Sequence, residues 1–140
     1  MIKAVLFDLD NALLDFMKMK QNAISAAVNS MIFSGLDINK EEAEKKIYKI
    51  YENHGYEYQE VFDLFLTELI GKVNYKILAK GIISYKKAKE DSLSLYKNVN
   101  STLVSLSKLG LRIGVISDAP SREAWIRICS VNLENIFDTV

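Results

Sequence analysis

The chain opens on a short apolar run, Ile-Lys-Ala-Val-Leu-Phe at residues 2 to 7, stopped by Asp-Leu-Asp-Asn. Such a run predicts a parallel strand covered on both faces, with its carboxyl end aimed at the acids. From Phe16 to about Phe33 the apolar spacing turns helical, with Ala23, Ile24, Ala27, Val28, Met31 and Ile32 on one side and Ser34-Gly35 at the end. Asn39 before Lys40-Glu41-Glu42 predicts an N-cap, and the following helix runs to His54-Gly55. A third helical pattern stops at Gly71 and a fourth continues through Lys89. Four helices in succession predict a bundle.

After about Tyr96 the pattern changes again. Val99, Leu103, Leu106 and Leu109 form a stripe ending at Gly110, and Leu111-Arg-Ile-Gly-Val-Ile then reads as a second strand ending on Ser117-Asp118. Pro120 opens a helix to about Val131, and residues 137 to 140 begin a third strand. Strands alternating with helices predict an α/β fold, a Rossmann-like parallel sheet core with right-handed crossovers. Roughly 80 residues separate the first strand from the next core helix, far beyond an ordinary connection, so they predict an inserted α-helical cap. The expected division is a core of residues 1–15 and 95–140 and a cap of residues 16–94. No repeat or low-complexity stretch interrupts this order.

Composition changes this picture little. With 49% hydrophobic and 26% charged residues the chain has a globular balance, not a disordered one. Eighteen basic against eighteen acidic residues leave a formal net charge of zero, so no global field favours nucleic acid or an anionic membrane. A single cysteine, Cys129, excludes an intrachain disulfide and suits a reducing compartment; it is expected in the apolar pattern of Trp125, Ile126 and Ile128. The N-terminal apolar run is too short for a signal peptide or a membrane span, so the cytoplasm is the expected address.

Chemistry concentrates where open parallel sheets bind ligands, at the carboxyl ends of strands. Asp8 and Asp10 follow the first strand, and Ser117 and Asp118 follow the second. Residues two apart in an extended segment project to one side, so the two acids could converge on one cation or on one phosphorus. Mutual repulsion between facing carboxylates is relieved by a hard divalent ion such as Mg²⁺. A solvated turn is the bland account of Asp8 and Asp10, and a helix cap near Pro120 that of Ser117 and Asp118.

Phe7-Asp8-Leu9-Asp10-Asn11-Ala12 resembles the first motif of the haloacid dehalogenase-like superfamily, and Val115-Ile116-Ser117-Asp118 resembles its second. The resemblance covers essentially the whole chain, in the arrangement of members with a helical cap inserted after the first motif. It implies a Mg²⁺-dependent phosphatase acting on a small phosphorylated metabolite. Asp8 would be the nucleophile and form an aspartyl-phosphate, and Asp10 the general acid and base. Ser117, Asp118 and the main chain at Leu9 would bind the substrate phosphate, and Asp8 and Asp10 would hold the metal. An acid at position 10 favours phosphate chemistry over carbon–halogen cleavage. A phosphomutase shares the same first motif, and a phosphate-binding module or fragment without turnover is the alternative from another class.

Two departures from the family pattern stand out. Ala12 replaces the usual threonine or valine, and Val140 comes before the family's lysine and its later acidic metal ligands. The core is therefore expected to be truncated, with an open apolar edge on the first strand: the natural product is longer, or a complementing C-terminal fragment or a second copy covers that edge. His54 at a helix end and the aromatic residues of the insertion read as structural. Lys18 and Lys20 are expected on an exposed helix face, with an anionic substrate as their alternative partner, and Trp125 in the core.

Overall fold

The structure, a computed structural model, describes all 140 residues. In chain order its elements are β1 (Ala4–Asp8), α1 (Phe16–Phe33), α2 (Lys40–His54), α3 (Val61–Ile70), α4 (Tyr75–Ser92), α5 (Val99–Lys108), β2 (Arg112–Ile116) and α6 (Ser121–Ser130). The chain divides into two compact units, one of Met1–Met19 with Leu93–Val140 and one of Lys20–Ser92. The α/β class with a parallel sheet is as expected.

In the α/β unit β1 and β2 pair in parallel, Ala4 opposite Arg112 through Asp8 opposite Ile116. The tail lies along the far side of β2: the Val115 N–H donates to the Thr139 carbonyl at 3.0 Å and the Asp138 N–H to the Ile113 carbonyl at 2.7 Å. An Asp138 carboxylate oxygen also accepts from the Ile113 N–H at 2.7 Å, so the third strand is present as a single parallel bridge, Gly114 to Thr139. Strand order leaves β1 at the edge.

Coverage of both faces of β1 does not occur. Ile113 and Val115 join a buried cluster with Leu103 of α5 and Ala124 and Ile128 of α6, so both helices pack on one face. Leu6 and Ile116 on the other remain 59% and 62% exposed. An all-apolar run reports a strand that can be covered twice; it carries no information on whether the covering elements are there. Gly114 lies on that second face, where an added Cβ would come within 2.7 Å of the Leu6 side chain and 2.9 Å of the Thr139 methyl.

The helical unit is built from α2, α3, α4 and the rest of α1 around Ile24, Val28, Met31, Ile47, Phe65 and Leu66. Its boundaries follow local chemistry. The Asn39 side chain accepts from the Glu41 N–H at 2.9 Å and the Glu42 N–H at 3.4 Å, the expected cap of α2. Gly71 ends α3 in the left-handed conformation, which costs a glycine nothing. No helix is long and apolar enough to cross a membrane.

Three side chains sit elsewhere than expected. Lys20 is buried, while Lys18 is exposed as foreseen. Trp125 and Cys129 lie on the outer side of α6. The inward stripe of α6 is Ala124, Arg127 and Ile128 at i, i+3 and i+4, so the apolar residues Trp125, Ile126 and Cys129 mark the wrong face.

Candidate active site

The register of the sheet sets the site. Because Asp8 pairs with Ile116, the last residue of β1 lies beside the residue that precedes Ser117, and the first and second motifs leave the sheet together. Asp8 is exposed, and one of its carboxylate oxygens accepts from the Leu9 N–H at 2.8 Å. Leu9 turns its side chain fully into the core, anchoring the loop that follows.

That loop is wound tightly on itself. The Leu13 and Leu14 N–H groups both donate to the Leu9 carbonyl, at 2.9 and 3.1 Å, and Asn11 takes a positive φ of 59°. Asparagine tolerates that region better than most side chains. Its side-chain oxygen accepts from the Met17 N–H at 3.2 Å, and Asp15 accepts from the Lys18 N–H at 3.2 Å, so both satisfy the open N-terminus of α1. Ala12 is exposed in this turn.

By Asp10 the chain has left β1, and the two acids have different surroundings. The Asp10 carboxylate accepts a charge-assisted hydrogen bond from Arg127 Nη1 at 2.7 Å, 117 residues away in sequence. Arg127 is itself 1% exposed, and its guanidinium carbon lies 4.8 Å from the centre of the Phe16 ring. Sequence reasoning missed this cation. The signal was available: a charged residue at the inward position of an amphipathic helix needs a partner, because an unpaired buried charge is expensive.

Ser117 is half-buried and its hydroxyl accepts from the Ala119 N–H at 3.1 Å. Asp118 is exposed. Neither caps α6, whose N-cap position is Pro120 and carries no side-chain cap bond. With Asp8 and the Leu9 N–H they stand at the adjoining ends of the two paired strands.

For Mg²⁺ the fit is partial. Asp8 offers a hard carboxylate at an exposed strand tip, but the Asp10 carboxylate is bound to Arg127, and no group of three acidic, His or Cys side chains is assembled anywhere. Asp8 would hold the ion through its carboxylate and Asp10 through its backbone carbonyl, which leaves the Asp10 carboxylate to Arg127.

The sequence model of the family described as haloacid dehalogenase-like hydrolase matches residues 5–140. This chain belongs to that family. Over all 140 of its residues it is 36% identical to glyceraldehyde 3-phosphate phosphatase of Methanocaldococcus jannaschii, spanning 61% of that protein. It is 34% identical to the protein of the same name from Methanothermobacter thermautotrophicus, spanning 62% of it. The crystal structure of a HAD phosphatase from Thermococcus onnurineus overlays 99% of this chain and 61% of its own with a TM-score of 0.62 at 20% identity, a likeness of fold. The haloacid dehalogenase-like chain thus spans about three fifths of the length of the relatives it matches.

Proposed function

We propose that this haloacid dehalogenase-like chain carries the nucleophile end of a phosphatase site, acting on a small phosphorylated metabolite. The observation that carries the reading is the register that sets Asp8 beside the strand end leading into Ser117. Asp8 attacks phosphorus in line, the ester bond breaks, and an aspartyl-phosphate forms that water then hydrolyses. Asp10 protonates the departing oxygen and later takes the proton of that water. The Ser117 hydroxyl and the Leu9 N–H hold phosphate oxygens, with Asp118 at the rim.

The Asp8 carboxylate and the main chain of Asp10 would hold Mg²⁺, which would supply the positive charge that lets a carboxylate approach a phosphate. The names of the relatives support a three-carbon phosphorylated aldehyde as substrate. The division of the chain at Met19 and Leu93 supports the helical unit as an inserted cap. For a partner, the open edge of β1 supports a second copy or a complementing C-terminal fragment pairing there, and a net charge of zero leaves no repulsion between copies.

The alternative from another class is a phosphate-binding module without turnover. Phosphate release from glyceraldehyde 3-phosphate with Mg²⁺ decides between them, with Asp8→Asn as control. Release by the wild type that falls at least about 10³-fold in the variant supports the phosphatase. Equal rates in both would place the chemistry elsewhere.

A further inference from the structure

We infer that Arg127 is a positioning residue for Asp10, holding its carboxyl in one rotamer about the Cα–Cβ bond beside the phosphoryl-accepting end of β1; this deepens the phosphatase reading and rests on it. The α6 stripe that faces the core is Ala124, Arg127 and Ile128, and its two outer members are apolar and buried. Replacing both members of a buried ion pair by hydrophobic side chains commonly leaves a protein as stable or more so, so stability alone does not call for a guanidinium there. A guanidinium at that place therefore points to what it holds.

It holds two parts of one segment. Nη1 donates to Asp10 at 2.7 Å, and the guanidinium carbon lies over the ring of Phe16, the first residue of α1, 4.8 Å from its centre. A buried cation bonded to a carboxylate and set over an aromatic ring has little freedom to move, and it passes that restriction to Asp10. A lysine in the same place would supply charge without the fork. Proton transfer to a leaving oxygen demands hydrogen-bond geometry at the moment of bond breaking, so a carboxyl free to rotate spends little time in the productive pose.

The test begins with the folded wild-type chain and a measurement that needs no turnover. Three-bond couplings to the Asp10 carboxyl carbon report its rotamer: one in the wild type, an average over several in Arg127→Gln. Rotamer averaging in the wild type, or a single rotamer kept in Arg127→Gln, overturns the inference. Should the glutamine variant fail to fold, Arg127→Lys keeps the charge and carries the same comparison, with a broadened rotamer distribution expected.

Turnover of an aryl phosphate with Mg²⁺ adds the functional arm. Loss of about 10²-fold in kcat with KM little changed, partly restored by lysine, supports positioning. A folded Arg127→Gln with unchanged kcat overturns it. Activity that survives in Asp8→Asn, or none in the wild type, counts against the phosphatase reading, and the couplings then decide the role of Arg127 by themselves.

Discussion

The Lys20 ammonium donates to the Tyr85 hydroxyl at 2.6 Å and to the Tyr56 carbonyl at 2.7 Å, and lies 4.2 Å from the centre of the Tyr51 ring. A lysine only 5% exposed is thus enclosed by tyrosines within the helical unit. Hydrogen bonds from a charged donor and the faces of aromatic rings offset the loss of hydration.

Replacing that side chain separates charge from packing. Lys20→Ala removes the hydrogen bonds and empties the volume of the stem, with an expected loss of about 2–4 kcal/mol. Lys20→Met fills most of the volume and should lose about 1–2 kcal/mol. Urea denaturation followed by helical circular dichroism measures both. Equal losses would show that the stem contributes nothing and the ammonium everything.

Tyr51 makes the same unit sensitive to alkali. Burial, then the neighbouring Tyr85, raises its phenol well above the usual range, so it stays neutral in the fold. The phenol of the unfolded chain ionises near pH ~10. A group whose folded value is raised contributes fully below the unfolded value and loses that contribution as pH rises beyond it. Stability should therefore fall above pH ~10, by at most about 1.4 kcal/mol per pH unit from this residue. Tyr51→Phe should flatten the slope of urea midpoints on the alkaline side, and near-ultraviolet absorbance should show Tyr51 ionising only as the chain unfolds.

Legibility in the sequence followed the range of the interaction. Asn39, Gly71 and the two strand ends announce themselves because a cap, a left-handed turn or an apolar run stopped by acids is decided within a few residues. Asp8 and Ser117 were legible for the same reason, each standing where a strand stops. Arg127 and Lys20 were not, because their partners lie 117 and 36 or 65 positions away. The apolar residues of α6 misled because Trp125, Ile126 and Cys129 outnumber the two that face inward, and a ten-residue helix gives periodicity few turns to average over.

Asp8 and Asp10 should differ in what their removal does to stability. Asp10→Ala leaves Arg127 buried without its carboxylate, a loss of about 3–5 kcal/mol, and Asp10→Asn should lose less because an acceptor oxygen remains. Asp8 is exposed, so Asp8→Asn should stay within about 0.5 kcal/mol of the wild type. Thermal or urea unfolding of the three variants checks the order. Equal destabilisation by Asp8→Asn and Asp10→Ala would mean that the Arg127 pair contributes nothing beyond an exposed contact.

The open face of the sheet predicts concentration-dependent association. Leu6, opposite Gly114, is exposed beside Ile116 on a strand whose outer edge has no partner. An apolar edge of this kind recruits another chain, and a charge placed on it is a common natural defence. Leu6→Lys keeps the inner face of β1, where Val5 and Phe7 point, and should change stability by no more than about 0.5 kcal/mol. Sedimentation velocity over a tenfold range of concentration should then show the wild type shifting towards a dimer and the lysine variant remaining monomeric. A wild type that stays monomeric throughout would remove the second copy as the occupant of this edge, since a zero net charge and a bare leucine–isoleucine pair give association every physical advantage.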